Sequence, residues 1–268
     1  MIVPVAAADD PRLVPYLALK DNEIARGHDG FIVEGAMALE RLVDAGRFPL
    51  DSLLLSQRAA ERLAPLIARV DPQIPVFVAS QSVMDDIAGY HIHRGILALA
   101  RRTQQLSVEQ ILSRHSAGPL TLLVLIGLSN HDNVGACFRN AAALGADAVL
   151  LDASSCDPLY RKAIRVSSGA ALTLPFAHGG TGENLVATLQ RHDVACWALT
   201  PGGSALLADS TPPERLALLL GAEGPGLPDS VMASCQCVSI PMAGGMDSIN
   251  VATAGAIALA QVMSARRT

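Results

Sequence analysis

An α/β protein built on an open parallel sheet is the fold class this sequence predicts, and three features predict it. Leu216–Leu220 is an apolar run without alternation, as expected of a strand buried on both faces of a parallel sheet. It stops at Gly221-Ala222-Glu223-Gly224-Pro225-Gly226, where three glycines and a proline forbid regular structure and let a ligand approach the backbone. A second short strand, Val238-Ser239-Ile240, ends in Pro241 and Ala243-Gly244-Gly245, then gives way to an Ala-rich helix from about Ile249 to Ala265. Ser248 or Asp247 is the predicted cap of that helix. Two strand ends, each followed by a Gly-rich loop and a helix, make a crevice at the carboxyl edge of a sheet, where open α/β folds bind ligands.

The rest of the chain alternates in the same way. Pro11 marks a helix start within Asp10–Ala18, and Arg12, Lys20 and Arg26 punctuate a basic-polar stretch. Phe31–Gly35 reads as a strand and Ala36–Ala45 as an apolar-periodic helix. Leu50–Leu55, Ile74–Ala79 and Ile96–Ala100 read as strands, separated by helices over Ala59–Val70 and Gln81–Ile87. Residues 1–100 are therefore a small α/β unit of their own. Residues 101–118 are a linker in which Ser107 and Gln110 have capping-box spacing and Gly118-Pro119 closes the connection. A second domain, 119–268, opens with the buried strand Leu120–Leu128. Asp132 or Asn133 is the predicted cap of a helix running to Leu144, with Gly145 beyond its end. Asp147–Leu151 is the next strand, and Asp157-Pro158 starts a helix that carries Arg161, Lys162 and Arg165. Gly182 to Arg191 is helical, and Val194–Leu199 is a strand ending in the loop Thr200-Pro201-Gly202-Gly203 at the same edge.

Composition bounds the function. No apolar run reaches the roughly 18 residues of a membrane span, and Met1–Asp10 has no basic n-region, so a cytoplasmic protein is expected. Five scattered cysteines lack zinc-site spacing, and His91 and His93 lack a third and fourth ligand, so no metal is expected. The net charge of −5 argues against a generally basic nucleic-acid binder, although a local patch suffices. The Gly-rich loop has neither GxGxxG nor GxxxxGK[ST], and Glu223 would repel phosphate. A neutral or cationic ligand fits it better, and a purely structural turn fits it as well.

GAEGPGL at residues 221–227, followed by Ile240-Pro241-Met242 and Ser248 to Leu259, resembles motifs 2 and 3 of the SpoU–TrmH (SPOUT) RNA ribose 2′-O-methyltransferases. Asn133-x-Gly135-x-x-x-Arg139-x-Ala141 is similar to motif 1. The three stand in the right order over about 150 residues. The resemblance implies a parallel α/β domain with a trefoil knot, S-adenosyl-L-methionine as cofactor and a homodimer. Phe31-x-Val33-Glu34-Gly35 and His91-x-His93-Arg94-Gly95-Ile96 are similar to the RNA substrate-binding domain, related to ribosomal proteins, that precedes the catalytic domain in many of these enzymes.

Carried over residue by residue, the resemblance assigns Arg139, Asn133, Glu223, Ser248 and Asn250 to catalysis. It assigns Thr200, Gly202, Gly221, Ala222, Gly224, Ile240, Met242 and Asn250 to the cofactor. Arg94 and the helical Arg161, Lys162 and Arg165 fall to RNA. A guanidinium with a pKa above about 12 makes a poor base. Arg139 is better read as a fork that grips a phosphate and stabilises a developing alkoxide, with Asn133 orienting it or the ribose. Glu223 reads as an acceptor holding the loops of Ser248 and Asn250. Ribosomal RNA is the expected substrate ahead of transfer RNA. An RNA-binding module without catalysis, or a small-molecule α/β enzyme with a nucleotide cofactor, are the alternatives.

Overall fold

The computed structural model describes residues 2–17, 30–89, 92 and 94–267. Lys20, Arg26, His91 and His93 lie outside the described residues, as does the end of the first predicted helix at Ala18. The described residues form two compact units, Met1–Gln104 with Leu159–Thr173, and Gln105–Pro158 with Leu174–Thr268.

The first unit holds a five-stranded mixed sheet: β1 (Ile2–Val5), β2 (Gly30–Glu34), β3 (Leu50–Ser56), β4 (Val76–Ala79) and β5 (Ile96–Arg101), in the order β1-β4-β3-β5-β2. β1, β4 and β3 are parallel, while β5 is antiparallel to both β3 and β2. β1 was not expected from the sequence. Pro4 removes a ladder donor and confines such a segment to an edge, which is where β1 lies. The helix expected over Ala59–Val70 is two short ones, Gln57–Arg62 and Ala64–Ile67. Pro65 has no N–H to continue the first, so the chain breaks at Leu63 and restarts.

The segment Leu159–Thr173, read from sequence as part of the second domain, packs with this first unit. Gly169 explains how closely. It has φ +85°, and a Cβ there would stand 2.9 Å from Ala38 Cα in the helix Ala36–Ala45. Arg41 Nη1 donates to Ser168 O at 2.9 Å, and Arg161 pairs with Glu34 at 2.7 Å.

The second unit is built on seven parallel strands: β6 (Leu120–Ile126), β7 (Ala148–Leu151), β8 (Phe176–His178), β9 (Ala195–Leu199), β10 (Ala205–Leu206), β11 (Arg215–Gly221) and β12 (Gln236–Ser239), in the order β10-β12-β9-β11-β6-β7-β8. The parallel α/β domain expected from the unalternating Leu-rich runs is present. β6 is buried at every position, and it pairs with β11 from Leu120↔Arg215 to Ile126↔Gly221. One face of the sheet packs Leu122 and Val124 with Leu185 and Leu189 of the helix Gly182–Arg191. The other receives the C-terminal helix Val251–Ala265 at Gly255, where a Cβ would meet Leu220 Cδ1 at 2.7 Å.

Two predicted caps and one predicted helix start differ in the structure. The motif 1 helix spans His131–Ala143 and is capped by Asn130, whose side chain accepts from Asp132 N at 2.9 Å. The C-terminal helix is capped by Asn250, not by Ser248 or Asp247. The helix expected from Asp157-Pro158 begins only at Arg161, with no side-chain cap. Several cap-forming residues stand close together in the first two stretches, and propensity alone does not rank them.

Arg266 ties down the end of the last helix. Its guanidinium donates to Leu120 O at 3.1 Å, Pro213 O at 3.1 Å, Glu214 O at 2.7 Å and the Thr121 hydroxyl. These groups sit at the amino ends of β6 and β11. Arg266→Gln should lower the stability of the second unit by about 1–3 kcal/mol, since charged donors to several acceptors are lost together. Trp197, the chain's one tryptophan and 2% exposed in β9, reports that unfolding by fluorescence in urea.

Candidate active site

The carboxyl ends of β9, β11 and β12 open into a cleft of about 410 Å³. Thr200, Gly221, Ala222, Gly224, Ile240, Met242, Ser248 and Asn250 line it, as does Glu223. Gly202 does not line it. That glycine sits in the turn after β9, and it is Pro201 beside it that borders the space. Leu199, Leu220, Val238 and Val251 complete an apolar floor that the sequence reading did not assign.

The loop after β11 keeps its form by backbone packing. Gly226 N donates to Ala222 O at 3.0 Å, closing the loop on itself. A Cβ at Gly221 would lie 2.3 Å from Gly226 C and Leu227 N, so only glycine admits this closure. The loop after β9 is tied to β12: Thr200 N donates to Val238 O at 3.0 Å, and Ser239 Oγ to Gly203 O at 3.1 Å.

Glu223 is the one ionisable side chain among the described residues lining the cleft. Asn133 Nδ2 donates to Glu223 Oε1 at 2.6 Å, and Asn250 Nδ2 reaches the same oxygen at 3.4 Å and Asn133 Oδ1 at 3.0 Å. Asn250 Oδ1 meanwhile accepts from Ala252 N and Thr253 N. Three of the five residues assigned to catalysis are thus one hydrogen-bonded set joining the motif 1 helix, the loop after β11 and the C-terminal helix. Ser248 lines the cleft but makes no bond to Glu223; its hydroxyl has no partner among the described residues.

Arg139 stands apart from this set. It is exposed, does not line the cleft, and makes no hydrogen bond or ion pair among the described residues. Asn133 is bonded to Glu223 and Asn250 in place of the expected contact with Arg139. Of the arginines and lysine assigned to RNA, Arg161 is held in its ion pair with Glu34, while Lys162, Arg165 and Arg94 are exposed.

Asp152, at the end of β7, was missed. Its buried carboxylate accepts from Gly127 N at 3.0 Å, Ser155 N at 3.0 Å, Ser155 Oγ at 2.6 Å and the Ser154 hydroxyl. Ser155 Oγ in turn accepts from Leu128 N at 3.1 Å, so this knot of bonds braces the turn between β6 and the motif 1 helix. Burial by itself would raise the Asp152 pKa, but the bonds from Ser154, Ser155 and Gly127 outweigh it and hold it below its ordinary value. An Asp at a strand end followed by two serines is a readable turn signal. No group of His, Cys, Asp and Glu that could hold a metal occurs among the described residues. Burial pushes the Cys137 thiol up to about 12, which leaves it inert as a nucleophile.

A glycine-walled, mildly anionic cleft at the carboxyl edge of a parallel sheet marks a ligand-binding α/β protein. The model of the SpoU rRNA Methylase family matches residues 121–260. An uncharacterized tRNA/rRNA methyltransferase of Mycobacterium bovis is 39% identical over 95% of this chain and 89% of its own length. The 23S rRNA (guanosine-2′-O-)-methyltransferase RlmB of Yersinia pestis is 33% identical over 88% of this chain and 97% of its own. The SpoU methyltransferase AviRb of Streptomyces viridochromogenes, solved in complex with AdoMet, shares the fold with a TM-score of 0.82 at 21% identity, over 96% of this chain and 99% of that one. The chain belongs to the SpoU rRNA methylase family.

Two outcomes follow from this geometry. Asn250→Ala should cost about 1–2 kcal/mol through the lost cap, and more than Thr253→Ala on the exposed side of the same helix, as read by urea unfolding. Asp152 contributes stability that is present above the ordinary carboxylate value of 3.8 and is lost as the pH falls through its lower folded-state pKa. Asp152→Asn should therefore flatten the acid limb of the stability–pH curve below the ordinary carboxylate value of 3.8, measured by Trp197 fluorescence.

Proposed function

We propose that this chain transfers the methyl group of S-adenosyl-L-methionine to a ribose 2′-hydroxyl of ribosomal RNA. The observation that carries the reading is the Asn133–Glu223–Asn250 set at the mouth of the cleft, which joins three motif segments far apart in sequence. The residues present fit the cofactor. Apolar Leu199, Leu220, Ile240 and Val238 suit a purine, and the Glu223 carboxylate suits a sulfonium cation. Among the described residues no lysine or arginine lines the cleft, which opposes a nucleoside diphosphate or triphosphate there. The AdoMet held by AviRb in the same fold, and the 2′-O activity named for RlmB, support the reading.

When bound, S-adenosylmethionine supplies an electrophilic methyl group. The chain's own residues have to position a poor nucleophile and manage its proton. Asn133 and Asn250 fix the Glu223 carboxylate, so it presents a set direction to the cleft and does not swing as a free base. The Ser248 hydroxyl is left to orient a ribose oxygen. Arg139 grips a phosphate of the RNA and stabilises the alkoxide that forms as that phosphate or a water takes the proton. Because Arg139 lies off the cleft, we assign the complete site to a homodimer in which one protomer's arginine serves the other's cleft. The trefoil knot and a cytoplasmic setting belong to the same reading. No described helix is long and apolar enough to cross a membrane.

Incubation with bacterial RNA and methyl-labelled S-adenosylmethionine, followed by digestion to nucleosides, should give label in a 2′-O-methyl nucleoside. Label on a base, or no cofactor binding, would remove the reading. Arg139→Ala should lower turnover about 100-fold or more while leaving cofactor affinity within about two-fold. Arg139→Lys, which keeps the charge and loses the fork, should recover little of it.

A further inference from the structure

The first unit carries a second cleft, of about 580 Å³, at the carboxyl ends of the parallel strands β3 and β4. Arg58 and Arg62, one helical turn apart, line it from the helix that follows β3; Arg94 lines it from the turn before β5. Among the described residues, no carboxylate and no aromatic ring lines it.

These three arginines differ from others in the same unit. Arg12, Arg69, Arg101 and Arg161 each pair with a carboxylate. Arg58, Arg62 and Arg94 have no hydrogen-bond or ion-pair partner among the described residues. Their charges are therefore gathered in one concave space and left unneutralised, in a chain whose net charge is −5.

The turn that presents Arg94 is also held in place. Gln81 Nε2 donates to Ile92 O at 3.0 Å, and Asp85 Oδ1 accepts from Ile92 N at 3.0 Å. Ser56 N donates to Gly95 O at 2.8 Å. Gly95 has φ +56°, and a Cβ there would lie 2.4 Å from Ser56 Oγ, so the turn fits against the end of β3 only with glycine. Arg94 is thereby set facing the helix of Arg58 and Arg62 across one space.

Guanidinium forks match phosphate oxygens bidentately, and three of them converging on one space suit a phosphodiester group. Resting on the RNA substrate proposed above, we infer that this cleft seats a backbone phosphodiester of that RNA, with Arg58 and Arg62 acting beside Arg94. The contact positions the RNA and reads no base.

The test uses the full-length chain and purified bacterial ribosomal RNA in a filter-binding titration over a range of salt. The triple variant Arg58→Gln, Arg62→Gln, Arg94→Gln should lose at least about ten-fold in affinity near 0.15 M salt, and its log–log salt slope should fall by about 1 to 2, as expected for one or two lost phosphate contacts. Its affinity for S-adenosylmethionine should stay within about two-fold of the parent. The matching triple Lys variant keeps the charges, so it should fold like the parent and bind with intermediate affinity; if it binds no better than the Gln variant although folded, the charge assignment fails. Unchanged affinity and slope in the Gln variant, with the parent binding well, overturns the inference and leaves the methyltransferase reading standing. A parent that binds S-adenosylmethionine but no ribosomal RNA overturns both the inference and the ribosomal substrate. In a parallel titration with inorganic phosphate at matched ionic strength, a loss of phosphate binding in the Gln variant without any loss of RNA binding makes the cleft a small-anion site and also overturns it.

Discussion

One carboxylate oxygen, Glu223 Oε1, holds the candidate active site together. It is approached by amide donors from Asn133, 90 positions earlier, and Asn250, 27 positions later. Each donor is also occupied elsewhere: Asn250 caps the C-terminal helix through its Oδ1, and that same side chain bonds Asn133 Oδ1. Moving any one of the three therefore loosens a helix start or a loop as well as the bond itself. The loop that carries Glu223 is closed by the Gly221–Gly226 contact, which admits no side chain. The carboxylate thus stands on a rigid support, as a group needs to if it is to orient others.

The elements this set joins were legible in sequence wherever burial decides them. The unalternating runs Leu120–Leu128 and Leu216–Leu220 read as strands covered on both faces, and they supply the neighbouring strands β6 (Leu120–Ile126) and β11 at the middle of the parallel sheet. Local competition was harder to read. Asn130, Asp132 and Asn133 are all good caps, and the choice of Asn130 is made by the tertiary bond that claims Asn133 for Glu223. Ser248, Asp247 and Asn250 pose the same problem, and Asn250 wins because its amide nitrogen has partners too. Of the residues carried over to catalysis and the cofactor, Gly202, Arg139 and Asn133 do not line the cleft, and Asn133 reaches it through its bond to Glu223. A motif records which residues matter; it does not record which space each one faces.

The placement of Leu159–Thr173 was illegible for a related reason. Its sequence lies between strands of the second unit, and periodicity cannot tell which core a short amphipathic helix joins. The close approach at Gly169 and the Arg161–Glu34 pair settle it in favour of the first unit. A residue counted among RNA contacts on sequence, Arg161, is spent on that packing, whereas Arg58 and Arg62, which no motif marks, keep their charges free.

The exposed position of Arg139 has an electrostatic reason. Six residues past Asn133, at about 100° per residue, it stands roughly 240° around the motif 1 helix from the side chain that faces Glu223. Two unit charges about 4 Å apart interact by about 4 kcal/mol near a protein surface. An arginine lining its own protomer's cleft would therefore pair with Glu223 and cancel the carboxylate that favours a sulfonium, whereas in the homodimer proposed above the guanidinium enters with the RNA phosphate that neutralises it. Phosphate gripping and sulfonium binding require opposite charges, so a single protomer keeps them on separate sides of the motif 1 helix. The helix separates them: Asn133, neutral, is bonded to Glu223, and Arg139 lies off the cleft, where only an anion brought from outside the chain's own cleft can meet it.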